Sequence, residues 1–479
     1  MDQLNILDLK ILHTLQNYPL EPFSKQAELL KIAPATMIRR VKALQEKGIL
    51  RHPIASFVPE RISLYRYGVM FSISSIHQFT LLQNALSEHK YIRACNYFYG
   101  ESFGIFAHFE LPENTEQYFN KYLEYLVEQE YCDSYFTMKS MGYRFTRPEP
   151  LPNYSKNPET FDLMKFWKKY WEKYCKKTPS LPRLPSPIDL NTLEPLHFQL
   201  LKDLTTSVKN GITIDIRTKQ TDLIKHYQDK YKHLTKKNSH PTNPLDKEEI
   251  IRLNQDREIP LTQEEIEQIN KDREDNILTC AEEAMLFNLS EFFDDKNNHN
   301  AKVEFGRKYY NLVMNNLIIN PRWNFSRKLF EQHATRAYFI ENIPELEKAR
   351  LFRFFYEEKL PFQSHLELFN KGIFLRLTMP PYYESKLNYI IWSTFKDYKI
   401  YSLDYFGTHG IYWTFEYDNF DFKNKQWRVD KDWMLDSTIA KINEKLINGN
   451  FGKFKKDQPE SNNQAYLSKL IENGNGVTA

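Results

Sequence analysis

The feature that most constrains this chain is that it copies itself, imperfectly. "LHFQLLKDL" (196–204) repeats "LDLKILHTL" (7–15) at an offset of 189 residues, and "TKQTDLIKH" (218–226) repeats "SKQAELLKI" (24–32) at 194. "RKYYNLVMNNLIINPRWNF" (307–325) then follows "RRVKALQEKGILRHPIASF" (39–57) at 268, and "GIFLRLTMP" (372–380) follows "GIFAHFELP" (104–112) at that same offset. Self-similarity on this scale means that one series of units is used twice, so a fold assigned to the first half binds the second. The step from 194 to 268 amounts to 74 residues and falls between the second and third matched blocks of the later copy. An insertion is expected there. At 479 residues the chain is too long for one core, and roughly three or four units follow from about 150 residues per domain.

In the first block Leu4, Leu7, Ile11, Leu12 and Leu15 recur at helical spacing until "NYPLEP", where prolines forbid continuation. Ser24 can cap a second, short helix that buries Ala27, Leu29, Leu30 and Ile32. Pro34 suits the first position of a third helix, which should run to Lys47 and stop at Gly48 in a left-handed turn. Its apolar side is Met37, Ile38, Val41 and Leu44, which turns Thr36, Arg39, Arg40 and Ala43 outward. Between Lys31 and His52, the basic residues Lys31, Arg39, Arg40, Lys42, Lys47 and Arg51 face Glu46 alone, a local charge of +5 before histidine. Such density suits a phosphate backbone. "ILRHPIASFVP" alternates and carries Pro53, as a β-hairpin wing would. Residues 1–60 therefore read as a winged helix-turn-helix, whose third helix enters the major groove of double-stranded DNA. Thr36, Arg39 and Arg40 are the candidates for base edges or phosphates, and Lys42, Lys47 and Arg51 for the backbone.

Residues 65–148 change period. "YRYGVMFSI", "IRACNYFYG", "FGIFAHFEL" and "SYFTMKSMGYRF" read as strands, and "HQFTLLQNALSEH" and "TEQYFNKYLEYLVEQ" as helices, in the order βαββαβ. That order predicts a ferredoxin-like sandwich. The fold class expected is α+β: a winged helix-turn-helix plus a ferredoxin-like βαββαβ sandwich, present twice with a diverged second copy.

Residues 7–147 resemble the leucine-responsive (Lrp/AsnC) transcription regulators. The matching features are Leu7, Asp8, Ile11, Leu12, Leu15, Leu29, Pro34, Arg40, Val41, Leu44, Gly48 and Ile49. Departures are Ala33, where the family usually has a capping Ser, and Phe103 and Gly104, where its amino-acid-binding members carry Asp and Tyr. The resemblance implies two sheets packed face to face, a small-molecule effector at the ferredoxin-like domains, and homo-oligomers. With both sheets on one chain, the pairing can occur within the molecule and let one copy drift.

The remaining plan follows from the repeat. Residues 149–190 hold a basic aromatic helix, "FDLMKFWKKYWEKYCKK" (161–177), expected to pack on the first sandwich, and the Pro-rich "TPSLPRLPSP". Residues 191–330 form a degenerate winged helix-turn-helix with an insertion at about 227–300, residues 334–425 a second ferredoxin-like domain, and residues 426–479 an extension and polar tail. From Leu245 to Asp295 sixteen Asp and Glu face five Lys and Arg, a net −11, and Glu304 stands where the first copy has Thr36. Both should repel phosphate, so the second helical unit is expected to have lost the usual grip on DNA.

Other chemistries are thinly supplied. The net charge is only +3, so affinity for nucleic acid must be local. Cys95, Cys132, Cys175 and Cys280 form no C-x-x-C pair, which fits a reducing cytoplasm, and "MDQLNILDLK" offers neither signal peptide nor membrane span. "GESFG" (100–104) spells a nucleophile elbow, but it joins strand to strand and reads as a hairpin, not a catalytic Ser102. His226, His233 and His240 are spaced by seven, about 10 Å on a helix, too far to share a metal. The expectation is a cytoplasmic, sequence-specific DNA-binding transcription regulator that is not an enzyme and needs no cofactor or metal. Two alternatives stand beside it. One is a siroheme-decarboxylase-like tetrapyrrole enzyme, similar at "YPLEPF" (18–23) and "CNYFYGESFGIF" (95–106), although Cys95 replaces that family's His. The other is a scaffold for protein contacts.

Overall fold

The computed structural model describes residues 4–99, 102–146, 161–205, 220–239, 243–254, 261–274, 280–293, 303–325, 334–358, 360, 362–404, 411–412 and 417–447. The chain opens with helices α1 (Ile6–Asn17), α2 (Phe23–Leu29) and α3 (Pro34–Glu46). At the start of α1 the Asn5 side chain accepts from the Asp8 amide, and the Asp8 carboxylate accepts from the Asn5 amide in return. This reciprocal cap satisfies two amides that the helix itself leaves unpaired. Helix α2 begins one residue before Ser24 and has Pro22, not Ser24, at its N-cap. Gly48, at φ 66°, ends α3 as its lack of a Cβ permits.

Strand β1 (Leu50–Phe57) corrects the expected hairpin wing. It does not fold back on its own neighbour. Its partner is the segment Ile318–Phe325, paired antiparallel with Leu50 opposite Phe325 and Phe57 opposite Ile318. Alternation in a sequence specifies a strand and its two faces, but two remote strands satisfy it as well as a hairpin does.

Next come β2 (Leu64–Ser72), α4 (Ile76–Ser87), β3 (Ile92–Tyr99), β4 (Gly104–Pro112), α5 (Glu116–Glu128) and β5 (Ser134–Thr146). Helix α6 (Leu163–Lys169) runs on through Tyr170–Tyr174. The second helical region contains α7 (Pro195–Thr205), α8 (Gln220–Lys230), α9 (Lys232–Ser239), α10 (Lys247–Asn254), α11 (Gln263–Glu274) and α12 (Cys280–Phe293). It closes with α13 (residues 303–317) and leads into β6 (Ile318–Phe325). The later sheet elements are β7 (Ala334–Glu341), α14 (Glu345–Glu357), β8 (Gln363–Phe369), β9 (Gly372–Met379), α15 (Glu384–Thr394), β10 (Ile400–Asp404) and the short β11 (Ile411–Tyr412). Helix α16 (Ser437–Ile447) ends the described chain.

Two separate sandwiches packed face to face are not what forms. The strands from both halves join edge to edge in the order β10-β7-β9-β8-β5-β2-β4-β3-β11, and β10 also pairs with β3, which closes the sheet into a barrel-like ring. One seam sets Ser140 to Thr146 against Phe369 to Ser364, and the other sets Tyr97–Tyr99 against Asp404–Ser402. Closure leaves no long open edge, a state that an isolated four-stranded sheet cannot reach. Side chains alternate accordingly. Met70, Phe98, Phe106, Met138, Phe339, Phe369, Phe374 and Leu403 fill the interior, while Val69, Phe71, Ile105 and Ala107 face the helices outside.

The helices that cover this ring are exchanged between halves. Helix α6 was expected on the first sandwich; it lies instead on the second half, burying Leu163, Phe166, Trp167, Tyr170 and Tyr174 among Phe354, Phe355, Ile390 and Ile391. The Trp167 indole N–H donates to Thr394 Oγ1 at 3.1 Å. Conversely, residues 420–447 cover the first half: Trp427 Nε1 donates to the Ile62 carbonyl at 2.6 Å, Tyr91 hydroxyl to the Arg428 carbonyl at 2.8 Å, and Tyr125 hydroxyl to Asn443 at 3.0 Å. An apolar stripe identifies a buried face without naming what buries it.

Candidate nucleic-acid interface and the barrel interior

Helix α3 is seated by Met37, Val41 and Leu44, which pack with Ile11, Leu12 and Leu15 of α1 and Ala27 of α2. Trp323, from β6, completes this core, and its backbone N–H donates to Gln16 Oε1 at 3.2 Å. The orientation of the first head therefore depends on a strand from the other half. Among the expected contact residues, Arg39, Lys42, Lys47 and Arg51 are exposed, and Thr36 and Arg40 are half-buried. Arg40 reaches back to α1, where its guanidinium lies 3.4 Å from Asp8 Oδ1. Lys42 lies 3.8 Å from Glu46 on the solvent face, a contact worth little there. Ile38, read as core from its spacing, is 52 % exposed. At about 100° per residue it sits at the rim of the apolar stripe, where a pattern cannot decide.

The second helical region is built differently. Insertion helix α12 enters its core: Met285 and Leu289 are buried, and Asn288 accepts from the Leu196 amide at 3.3 Å while donating to Glu194 at 2.8 Å. Helices α10 and α11 form an outlying hairpin, clasped by Arg273 on Glu249 at 2.9 and 3.0 Å. On α13, Glu304 pairs with Arg307 at 3.0 Å, and Lys308 lies 3.5 Å from Glu194. His226 and His233 lie on separate helices, and His240 falls outside the described residues. Among the described residues no group of three or more His, Cys, Asp and Glu is placed to hold a metal ion.

Inside the barrel a polar end adjoins the aromatic filling, and no sequence pattern singled it out. By alternation Arg66, His108, Glu110, His365, Glu367 and Arg376 share the inward face with Met70, Phe106, Phe369 and Phe374. Arg66 lies 3.4 Å from Glu110 and 3.9 Å over the Tyr143 ring, and Arg93 reaches the other Glu110 oxygen at 2.9 Å. His108 and His365 approach Glu367 Oε2 at 3.8 and 3.7 Å. Burial, aided by Arg66 and Arg376, pushes His108 down to about 3, and burial holds His365 well below the usual imidazole range. Burial also pushes the Glu367 carboxyl up to about 7, against the pull of Arg66. Two uncharged imidazoles thus stand beside a carboxyl that burial makes easier to protonate, each too far from it for a direct hydrogen bond.

The expected hairpin at 100–104 lies partly outside the described residues, but β3 ends at Tyr99 and β4 begins at Gly104. A Cβ at Gly104 would collide with the Phe71 carbonyl oxygen, so the glycine serves close strand approach. Cys95 is buried on the helix-facing side of β3, and Cys95, Cys132 and Cys175 are free thiols. Among the described residues no helix is long and apolar enough to cross a membrane.

The sequence model of the family described as "Winged helix-turn-helix DNA-binding" matches residues 4–51. No curated protein matches the chain in sequence. Among solved structures, the siroheme decarboxylase NirDL is similar at 13% identity over 92% of this chain and 100% of its own, with a TM-score of 0.41. AsnC of E. coli is similar at 15% identity over 30% of this chain and 97% of its own, with a TM-score of 0.24. A transcriptional regulator of Neisseria meningitidis, solved with L-Met, is similar at 17% identity over 29% of this chain and 91% of its own, with a TM-score of 0.25. The expectation that the chain is not an enzyme is corrected here, because the similarity that spans nearly the whole chain is to an enzyme. Residues 4–51 are a helix-turn-helix DNA-binding domain of the winged type, whose wing strand, β1, pairs with β6.

Proposed function

We propose that this chain is a sequence-specific DNA-binding transcription regulator of Lrp/AsnC type, an internally duplicated pseudo-dimer with one working reading head. The contrast between the two third helices carries the reading. Helix α3 presents Arg39 and Lys42 to solvent, with Arg51 exposed just beyond it. At the matching places of α13, Glu304 stands where α3 has Thr36 and lies 3.0 Å from Arg307, and Tyr310 stands where α3 has Lys42, so that face gains a carboxylate and loses a cation. The orders β5-β2-β4-β3 and β10-β7-β9-β8 are the same order of strands, which supports two ferredoxin-like units that arose by duplication. Thr36, Arg39 and Arg40 are the proposed contacts to base edges or phosphates, and Lys42, Lys47 and Arg51 hold the backbone. A small-molecule effector would act at the barrel, and further self-association would supply a second head for a palindromic site.

Selection of bound sequences from a random DNA pool with the full chain tests this. Arg39→Ala should weaken binding of the selected site roughly tenfold or more, the scale of one base-reading arginine. Arg307→Ala should leave it within about twofold, because the Glu304 carboxylate beside it repels the phosphates that Arg307 would meet. Unchanged affinity in the Arg39 variant overturns the reading.

A second reading, a siroheme-decarboxylase-like tetrapyrrole enzyme, is favoured by one observation: the neutral His108 and His365 beside Glu367 in a closed barrel. An absorption titration with an iron uroporphyrin decides it. A band shift lost in both His108→Ala and His365→Ala supports this reading, and the absence of any shift dismisses it.

A further inference from the structure

Ala35, Ile38, Arg39 and Lys42 form the middle of the outward arc of α3 and are all exposed, as are Pro34 and Glu46 at its two ends. Ile38 is the large apolar member. Met37, Val41 and Leu44, at 0%, 2% and 1% exposure, already fill the head's core, so Ile38 contributes no comparable burial there. A β-branched residue on an exposed helix position is also a poorer helix former than the arginine or lysine beside it. The residue is thus unfavourable locally and unused internally, while it stands fifth in the helix, in the half that faces base edges when such a helix docks.

Resting on the DNA-binding reading above, we propose that Ile38 determines specificity by seating against thymine 5-methyl groups in the major groove. The thymine methyl is the one apolar group that bases expose in that groove, and it is absent from the edges of adenine, guanine and cytosine. Arg39, adjacent on the same arc, supplies the charge that draws the helix in. Ala35, one turn before Ile38, is small enough to let the base edge approach. The division of labour is then definite: Arg39 sets affinity, and Ile38 distinguishes thymine from other pyrimidines.

The test uses the full chain and the sequence selected from a random pool, with each thymine replaced in turn by uracil, which removes only the methyl. For the unmodified protein, one or two replacements should weaken binding roughly fourfold, the scale of one buried methyl group. In Ile38→Ala those same replacements should have no effect, while dependence on Arg39 persists and the melting temperature stays near that of the parent. The proposal is overturned if no thymine-to-uracil change weakens binding, if the selected site lacks thymine, or if Ile38→Ala still discriminates. Failure of the underlying reading looks different: no sequence is enriched, or Arg39→Ala binds as well as the parent, and the proposal falls with it.

Discussion

Asp8 serves two contacts at once. It closes the cap at Asn5 and lies 3.4 Å from Arg40, so it both starts α1 and fixes the side of α3 that bears Arg40. Asp8→Ala should cost about 1–2 kcal/mol through the lost cap and a partly exposed ion pair, measured by denaturant unfolding. The sequence reveals a polar residue at the head of an apolar helix, but not its partner 32 residues away. Glu367 was harder still to find. It shares a face of β8 with His365, two residues away, but only barrel closure brings it to His108. Its carboxyl is raised from 4.5 to about 7, so the folded state keeps a proton that the unfolded chain releases. The resulting stabilisation is present below about 4.5 and is lost as pH rises through about 7. Glu367→Gln should therefore gain on the parent between pH 5 and 8, by about 1–3 kcal/mol in thermal unfolding. The two buried histidines act oppositely, favouring the fold above the usual imidazole pKa and losing that contribution in acid.

At the scale of elements, the sequence showed many of the segments that form and most of their buried faces, though Leu29 and Ile38, both read as buried, are exposed, and it did not show which segments meet. Helices α1 and α3 follow their leucine and valine spacing because local hydrogen bonding and burial agree there. The partners of β1 and of α6 did not follow, because alternation and an aromatic stripe are satisfied by any matching surface. The head's reliance on β6 gives a sharp consequence. Trp323→Ala should cost about 3–5 kcal/mol and should loosen amide protection in α1, seen by hydrogen exchange, although Trp323 lies far from α1 in sequence. Trp167→Ala should act likewise on α14 and α15, leaving α4 and α5 protected as before.

For the whole molecule, the repeat predicts two halves of one plan, while the strands of both halves share two seams in one ring and form neither separable domains nor a sandwich of two layers. Cleavage within the Pro-rich stretch 178–187 should leave the two fragments together in size-exclusion chromatography, because the β5–β8 and β3–β10 seams and the exchanged helices hold them. Separation of the fragments under native conditions would count against this account. The exchange of covers also sets an order of events on the ribosome. The first half emerges long before residues 420–447, so its outer helices stay bare until those residues have been made. Deletion of residues 420–447 would consequently harm the first half, and a nascent chain stalled before them would be a prime client for chaperones.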